Sequence, residues 1–280
     1  MSGTHVSKIN LSVQNLARSL QYYQIDLGFH LLEKTDHTAE LGTADGVKLI
    51  GLVERPTAVR KKRQAGMYHF AILLPTRKHL GAFLRHLIHR QIPVTGSADH
   101  GVSEAFYLED PDQNGIEVYA DKDHSQWYDE FRQMNMVTKE LDYPGLYYEV
   151  ENDDAFNGLP QGSIVGHLHL YVSNLDRSRL FYNEVLGFQL MVDTFPNALF
   201  LSDQKYHHHI AINTWLGKNI PPRDLATLGM ESFTLSFASC DEIAKVLHQL
   251  KEFGFQVRET DSGYDTIDPD NNPIHLRLNA

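Results

Sequence analysis

The chain repeats itself, and the repeat leaves few folds open to it. Residues 13–29, VQNLARSLQYYQIDLGF, return at residues 172–188 as VSNLDRSRLFYNEVLGF, 159 positions later. Further along each half a DPD turn leads into an apolar strand, DPDQNGIEVY from Asp110 and DPDNNPIHLRL from Asp268. Two such copies mean that each half builds the same scaffold. Positions that are equivalent but hold different residues then mark where a site was kept or lost. His69 and Glu117 fall in the first half, His167 and the run His207–His209 in the second.

Each half divides once more. Residues Val6–Val13 alternate as a half-buried strand, a helix over Ala17–Leu27 stops at Gly28, and a strand follows near Val47–Val53. The second unit opens on the strand Tyr68–Leu74. Pro75 and Thr76 then lead a helix with Leu80, Phe83, Leu84, Leu87 and Ile88 on one face, before strands near Ala105–Leu108 and Gly115–Ala120. The third runs from Gly166–Val172 through the repeated helix to a strand at His207–Thr214. The fourth runs from Ser232 through a helix bearing Ile243, Val246, Leu247 and Leu250 to Pro273–Leu278. The pattern is β-α-β-β-β four times, an α+β chain. It divides into an N-terminal domain at 1–122, a connector at 123–163 and a C-terminal domain at 164–280.

Bulk properties narrow the partners. At 280 residues with 42% hydrophobic content the chain buries a substantial core. A net charge of −11 without a basic stripe argues against a nucleic-acid or anionic-membrane partner. The short basic run Lys61–Arg63 reads as a solvated loop. A single cysteine, Cys240, excludes an internal disulfide and fits a reducing compartment. No apolar run is long enough to span a bilayer, so a cytoplasmic protein is expected.

The repeated V-x-N-L-x-R-S-x-x-(Y/F)-Y-x-x-x-L-G-F segments and the two DPD-x-N-x-I turns resemble the vicinal oxygen chelate superfamily. That superfamily includes glyoxalase I, bleomycin-resistance proteins and extradiol ring-cleaving dioxygenases. The resemblance covers nearly all of the chain outside the connector, and it implies four modules in two tandem domains whose mixed sheets curl into cups around a metal. It also implies ligands on the first and last strands of the units. The first-strand positions hold Lys8, His69, His167 and Ser232; the last-strand positions after DPD hold Glu117 and His275. The inner units thus retain His69, Glu117 and His167, and the outer units read as degenerate. Two imidazoles and one carboxylate suit Fe(II), or Mn(II), with open positions for a chelating substrate and dioxygen. Alone, a strand histidine is more often a hydrogen-bonded core residue; Glu117 between Ile116 and Val118 is costly unless paired, bound to metal or turned to water.

The segment DHGVSEAFYLEDPDQNGIE before Glu117 resembles the extradiol pattern H-x(5–7)-apolar-Y-x-x-D-P-x-G-x-x-x-E, which casts His100 and Tyr107 as substrate-orienting residues. Gln113 stands where the family has Gly, so a differently shaped loop is expected, because Gln does not readily take positive φ. The run YHHHIAI at Tyr206–Ile212 matches a family strand that carries an acid/base histidine. The match favours His208, with His209 as a rival, even as a fourth ligand. On a strand, either His208 or the pair His207 and His209 faces the cup. The resemblance thus implies cleavage of a small aromatic diol by O2 to a ring-opened semialdehyde. A glyoxalase-like lyase or isomerase and a metal-free aromatic-binding protein are the rival readings. Units two and three must share a cup, either within one chain or between two chains of a homo-oligomer.

Overall fold

The computed structural model describes residues 3–60, 63–151 and 156–279. Lys61 and Lys62 of the basic run lie outside these residues, and Arg63 beside them is exposed. The described strands form two eight-stranded sheets, and neither sheet coincides with a half of the chain. The inner sheet joins the second and third units. The outer sheet joins the fourth and the first.

Both sheets are built alike. Within each unit the first and last strands run parallel: His5–Val13 beside Lys48–Glu54, Gly66–Leu74 beside Gly115–Asp121, Ile164–Tyr171 beside Ile210–Asn213, and Gly229–Phe237 beside Pro273–Leu278. The first strands of two units then meet antiparallel at the middle of each sheet, Gly66–Leu74 against Ile164–Tyr171 and His5–Val13 against Gly229–Phe237. One continuous apolar core, from Ile9 and Leu11 through Phe70 and Leu168 to Phe233 and Leu276, runs from sheet to sheet. Its burial supplies the main drive to fold.

The repeated motif residues are one another's partners. Asn15 and Asn174 cap the helices Leu16–Gln21 and Leu175–Arg179 by accepting from the backbone N–H of Arg18 and Arg177. Arg18 reaches Asp112, and Arg177 reaches Asp270. The buried hydroxyls of Tyr23 and Tyr182 donate to Asp110 and Asp268 at 2.9 and 2.8 Å. Asp110 also accepts from the backbone of Asp112 and Asn114 and from the Asn114 amide, and Asp268 repeats the arrangement with Asp270 and Asn272. Thus the first-unit helix is pinned to the second-unit turn, and the third to the fourth.

Four local expectations change. The helices expected at Ala17–Leu27 and at its repeat are α-helical only at first and then widen into a π-helical turn, Tyr22–Asp26 and Leu180–Val185. Gln113 takes φ 64° and Asn271 φ 67°, so the turn keeps its shape without glycine. The bonds gathered by each turn's first aspartate over-determine the backbone there and offset the left-handed strain. Ile88 is 56% exposed, because it lies at the edge of the stripe set by Leu80, Phe83, Leu84 and Leu87 in helix Arg77–Arg90. Finally, the third unit's last strand begins at Ile210, so His207–His209 precede it and strand alternation does not govern them.

Candidate active site

Strand register draws the candidate ligands into one patch of the inner sheet. Ala71 pairs with Glu117 on one side and with His167 on the other. Side chains in register share a face, so Glu117, Ala71 and His167 form a lateral row. His69, two residues before Ala71, shares that face. Ala71 is the smallest chiral side chain and leaves the middle of the row open. Nε2 of His69 and Nε2 of His167 each lie 3.1 Å from Oε2 of Glu117. All three side chains are buried, and their ligand atoms fall within 4.8 Å of one another. The patch is complete within one chain.

Nε2 of His167 donates to Glu117, but the protein does not satisfy the other ring nitrogens. His69 makes no hydrogen bond through either ring nitrogen, and Nδ1 of His167 is also without a partner. Buried polar atoms rarely stay unpaired, and Nε2 of His69, unbonded 3.1 Å from the Glu117 carboxylate, is an atom that an ion there would take up. Burial pushes the His167 imidazole down to about 4, which leaves it neutral near pH 7. For Glu117 burial favours the acid, but His167 and His69 outweigh it and hold the carboxyl well below its usual range. Two neutral imidazoles and a carboxylate are a donor set for a divalent first-row metal, and the three residues could hold one.

A cavity of about 300 Å³ opens over this patch. Tyr107, in register with Glu117 on the neighbouring strand Ser103–Glu109, lines it with His100. The tautomer of His100 follows from its partners. The Val137 carbonyl can only accept, so Nδ1 carries the proton, and Nε2 accepts from the Tyr107 hydroxyl at 2.6 Å. Burial, followed by the charge of Glu117, raises Tyr107 well above its ordinary value and keeps it a neutral phenol.

His208 lines the same cavity, its ring 4.1 Å from that of His167. His207 is turned away: its Nε2 donates to Asp121 at 3.0 Å, and its Nδ1 meets Nδ1 of His208 at 2.8 Å. A neutral His207 has spent its proton on Asp121, so His208 donates from Nδ1 and keeps a bare Nε2. Burial and the surrounding imidazoles push His208 well below the usual histidine range. His209 does not line the cavity; its Nδ1 lies 2.9 Å from the Ser202 hydroxyl and accepts from the Asp203 backbone.

The wall holds residues that the sequence reading passed over. Tyr68, Phe195, Phe200 and Trp215 give it an aromatic side, and Met136 and Thr138 of the connector close it. The connector is therefore part of the cup. It runs beside the edge strand Gly96–Asp99 through an antiparallel bridge between Asp99 and Lys139. His169 also lines the cavity. Its spacing of two from His167 was the available signal, since i and i+2 share a strand face.

The equivalent patch of the outer sheet is closed on itself. Lys8 pairs with Glu40 at 2.6 Å, and His275 is held between Ser232 at 3.0 Å and Asp265 at 2.8 Å. Among the described residues, the His/Asp/Glu grouping able to hold an ion is His69, Glu117 and His167.

Comparison with known proteins agrees with this architecture. The family model described as Glyoxalase/Bleomycin resistance protein/Dioxygenase superfamily matches residues 5–118 and 164–276. The chain is 43% identical over 272 residues to a catechol-2,3-dioxygenase of Bacillus subtilis (strain 168), covering 95% of this chain and 94% of that protein. It is 26% identical over 119 residues to biphenyl-2,3-diol 1,2-dioxygenase 3 of Rhodococcus globerulus, covering 41% of this chain and 62% of that protein. Glyoxalase I from Zea mays has a similar fold, with a TM-score of 0.58 at 17% identity over 98% of this chain and 92% of that one. The similarity to the two dioxygenases supports a dioxygenase role, and that to the glyoxalase shows the fold alone. No helix among the described residues is long and apolar enough to cross a membrane.

Proposed function

We propose, from the premise that this chain belongs to the Glyoxalase/Bleomycin resistance protein/Dioxygenase superfamily, that it is an extradiol dioxygenase. Its substrate class is a catechol-type aromatic diol, opened by O2 to a ring-opened semialdehyde. The observation that carries the reading is the pair of imidazole nitrogens 3.1 Å from one buried carboxylate oxygen, beneath a cavity also lined by Tyr107, His100 and His208. A relative matched over 95% of this chain bears the name of a catechol-2,3-dioxygenase, which favours the same class. In this reading 1–122 and 164–280 are the two copies of the duplication and 123–163 is the connector between them.

His69, Glu117 and His167 are the residues that would hold the metal, Fe(II) by preference and Mn(II) as the alternative. When bound there, the ion supplies charge that lowers the pKa of the diol hydroxyls and open positions for the diol and O2. The phenol of Tyr107 has given its proton to the His100 bond, so its oxygen is free to accept from a substrate hydroxyl. His100, anchored on Val137, keeps that oxygen aimed. His208 presents a bare Nε2 and takes a substrate proton, which it later returns to the opening ring. Asp121 and His207 hold His208 in the tautomer that makes this possible. The aromatic wall excludes water and stacks against the ring.

The test is anaerobic reconstitution with Fe(II) followed by catechol in air. A yellow ring-opened product with O2 consumed one to one is expected. An iron-loaded protein that consumes no O2 with several catechols would refute the proposal.

A further inference from the structure

His169 is fixed more completely than a residue that merely fills the wall. The backbone N–H of Trp215 donates to Oδ1 of Asn213 at 2.9 Å, which sets the orientation of that amide. The Asn213 amide nitrogen, 2.9 Å from Nε2 of His169, must then be the donor, so Nε2 accepts. A neutral His169 therefore carries its proton on Nδ1. That nitrogen has no partner among the described residues and is not among the polar atoms sealed without one, while the residue lines the cavity. The ring stands edge-on to His69 at 5.1 Å and close to Trp215 at 5.3 Å, between the metal patch and the aromatic wall.

We infer that His169 is a specificity-determining residue whose Nδ1–H donates to an acceptor atom on the substituent of the substrate ring. The inference rests on the proposed function and deepens it. It narrows the substrate class to uncharged aromatic diols that carry an ether or carbonyl oxygen. The charge of the cup points the same way. Among the described lining residues Glu117 is the one acid, and no Lys or Arg is present. A ring carboxylate placed against Phe195, Phe200 and Met136 would lose its hydration and meet no cation there. A neutral acceptor meets the waiting N–H. The first unit's equivalent of His169 is Asn10, which instead donates to Ser232 at 2.8 Å, so the outer sheet offers no such donor.

The experiment compares near-isosteric pairs that differ in the acceptor: 3-methoxycatechol against 3-ethylcatechol, and 4-methoxycatechol against 4-ethylcatechol. A third pair sets methyl 3,4-dihydroxybenzoate against 3,4-dihydroxybenzoate. Dissociation constants are measured without oxygen on Fe(II)-loaded protein by tryptophan fluorescence, and turnover is measured in air. In the wild type the methoxy compound of at least one pair binds about three- to tenfold more tightly than its ethyl partner, the range of one net hydrogen bond. The ester binds more tightly than the acid. In His169→Phe, which keeps the ring volume, the methoxy preference falls to near one. The ratio cancels any general loss of stability in the variant, and the wild-type comparison needs no variant. If catechols bind and are cleaved but ethyl compounds bind as tightly as methoxy ones, or the preference survives in His169→Phe, this inference alone falls. If no catechol binds or is cleaved, the ring-cleavage reading falls and takes this inference with it.

Discussion

Replacing Glu117 by Gln isolates the charge of the candidate metal site from its shape. The side chains are isosteric, and Oε2 of Glu117 lies 3.1 Å from Nε2 of both His69 and His167. In metal-free protein the substitution removes a buried charge. It leaves no stranded partner, because burial keeps His167 neutral near pH 7. Because His167 and His69 hold the Glu117 carboxyl below its usual range, its charge stabilises the metal-free fold. The metal-free variant is therefore expected to melt a few degrees below metal-free wild type, and each protein is compared with its own metal-free form. With metal the two proteins part further. An ion present at 100 to 1,000 times its dissociation constant stabilises the native state by about 3 to 4 kcal/mol, or roughly 5–15 °C for a chain of this size. Loss of a supporting residue outside the ligand set already costs about 10- to 100-fold in affinity, and loss of a ligand costs at least the upper figure. That cancels most of the shift at the same metal concentration. Thermal melts with and without a chelator, under anaerobic Fe(II) and again with redox-inert Zn(II), give the two shifts directly. Bound metal after desalting gives the stoichiometry. If Glu117→Gln keeps one ion per chain and the full wild-type shift, the carboxylate is not a ligand and the site has been misread.

Other substitutions probe the supports around the site. Tyr23→Phe and Tyr182→Phe each remove a buried donor to a carboxylate, at 2.9 and 2.8 Å, and should each cost about 2 kcal/mol in urea unfolding. Their separation on the two copies makes the losses additive, so a double variant far from the sum would show that the copies are coupled. Asp121→Asn weakens the hold on the His207 tautomer and should lower kcat about ten- to a hundredfold while KM stays near its wild-type value. An unchanged kcat would remove Asp121 and His207 from the mechanism. In the outer sheet, partial burial opposes ionisation of Asp265, but the bonds from His275, Arg258 and Arg277 hold its carboxyl down at about 2. Its folded pKa is depressed, so its stabilisation is complete above the unfolded value near 3.9 and is lost as pH falls toward 2. Wild type should lose about 1 kcal/mol between pH 5 and 3 that Asp265→Asn does not lose, after allowance for solvent screening.

What the sequence revealed depended on how local the cause was. The motif residues Asn15, Arg18, Tyr23, Asp110 and Asn114 bond to one another, so their recurrence at Asn174, Arg177, Tyr182, Asp268 and Asn272 already encoded the shared frame. The metal patch was readable because equivalent strand positions end at equivalent places in a cup. Whether the second and third units share their cup within one chain or across two was not, since that choice lies in long-range strand contacts that no single strand displays. The π-helical turns were hidden for another reason: their hydrogen bonds skip one residue further than a helix while the apolar pattern barely shifts. Gln113 misled because its positive φ is imposed by Asp110 bonds rather than by its own preference. His169 stood two residues from His167 in plain view, but its role comes from Asn213 and Trp215, which lie more than forty residues away.

The two sheets together explain why one duplication left one site. In the outer sheet the residues at the ligand positions complete their own bonds: Lys8 with Glu40, and His275 with Ser232 and Asp265. Such groups gain nothing from an ion, and Lys8 would repel one. In the inner sheet the protein leaves the ring nitrogens of His69 unpaired, and His167 donates from Nε2 to the buried Glu117 carboxylate. Leaving them so costs stability at every moment the site is empty. A fold can carry that cost once if its remaining core and turns are satisfied, and the outer sheet with its closed networks supplies that satisfaction. The sheet that lost its ligands therefore holds the frame, and the sheet that kept them pays for the chemistry with unpaired atoms.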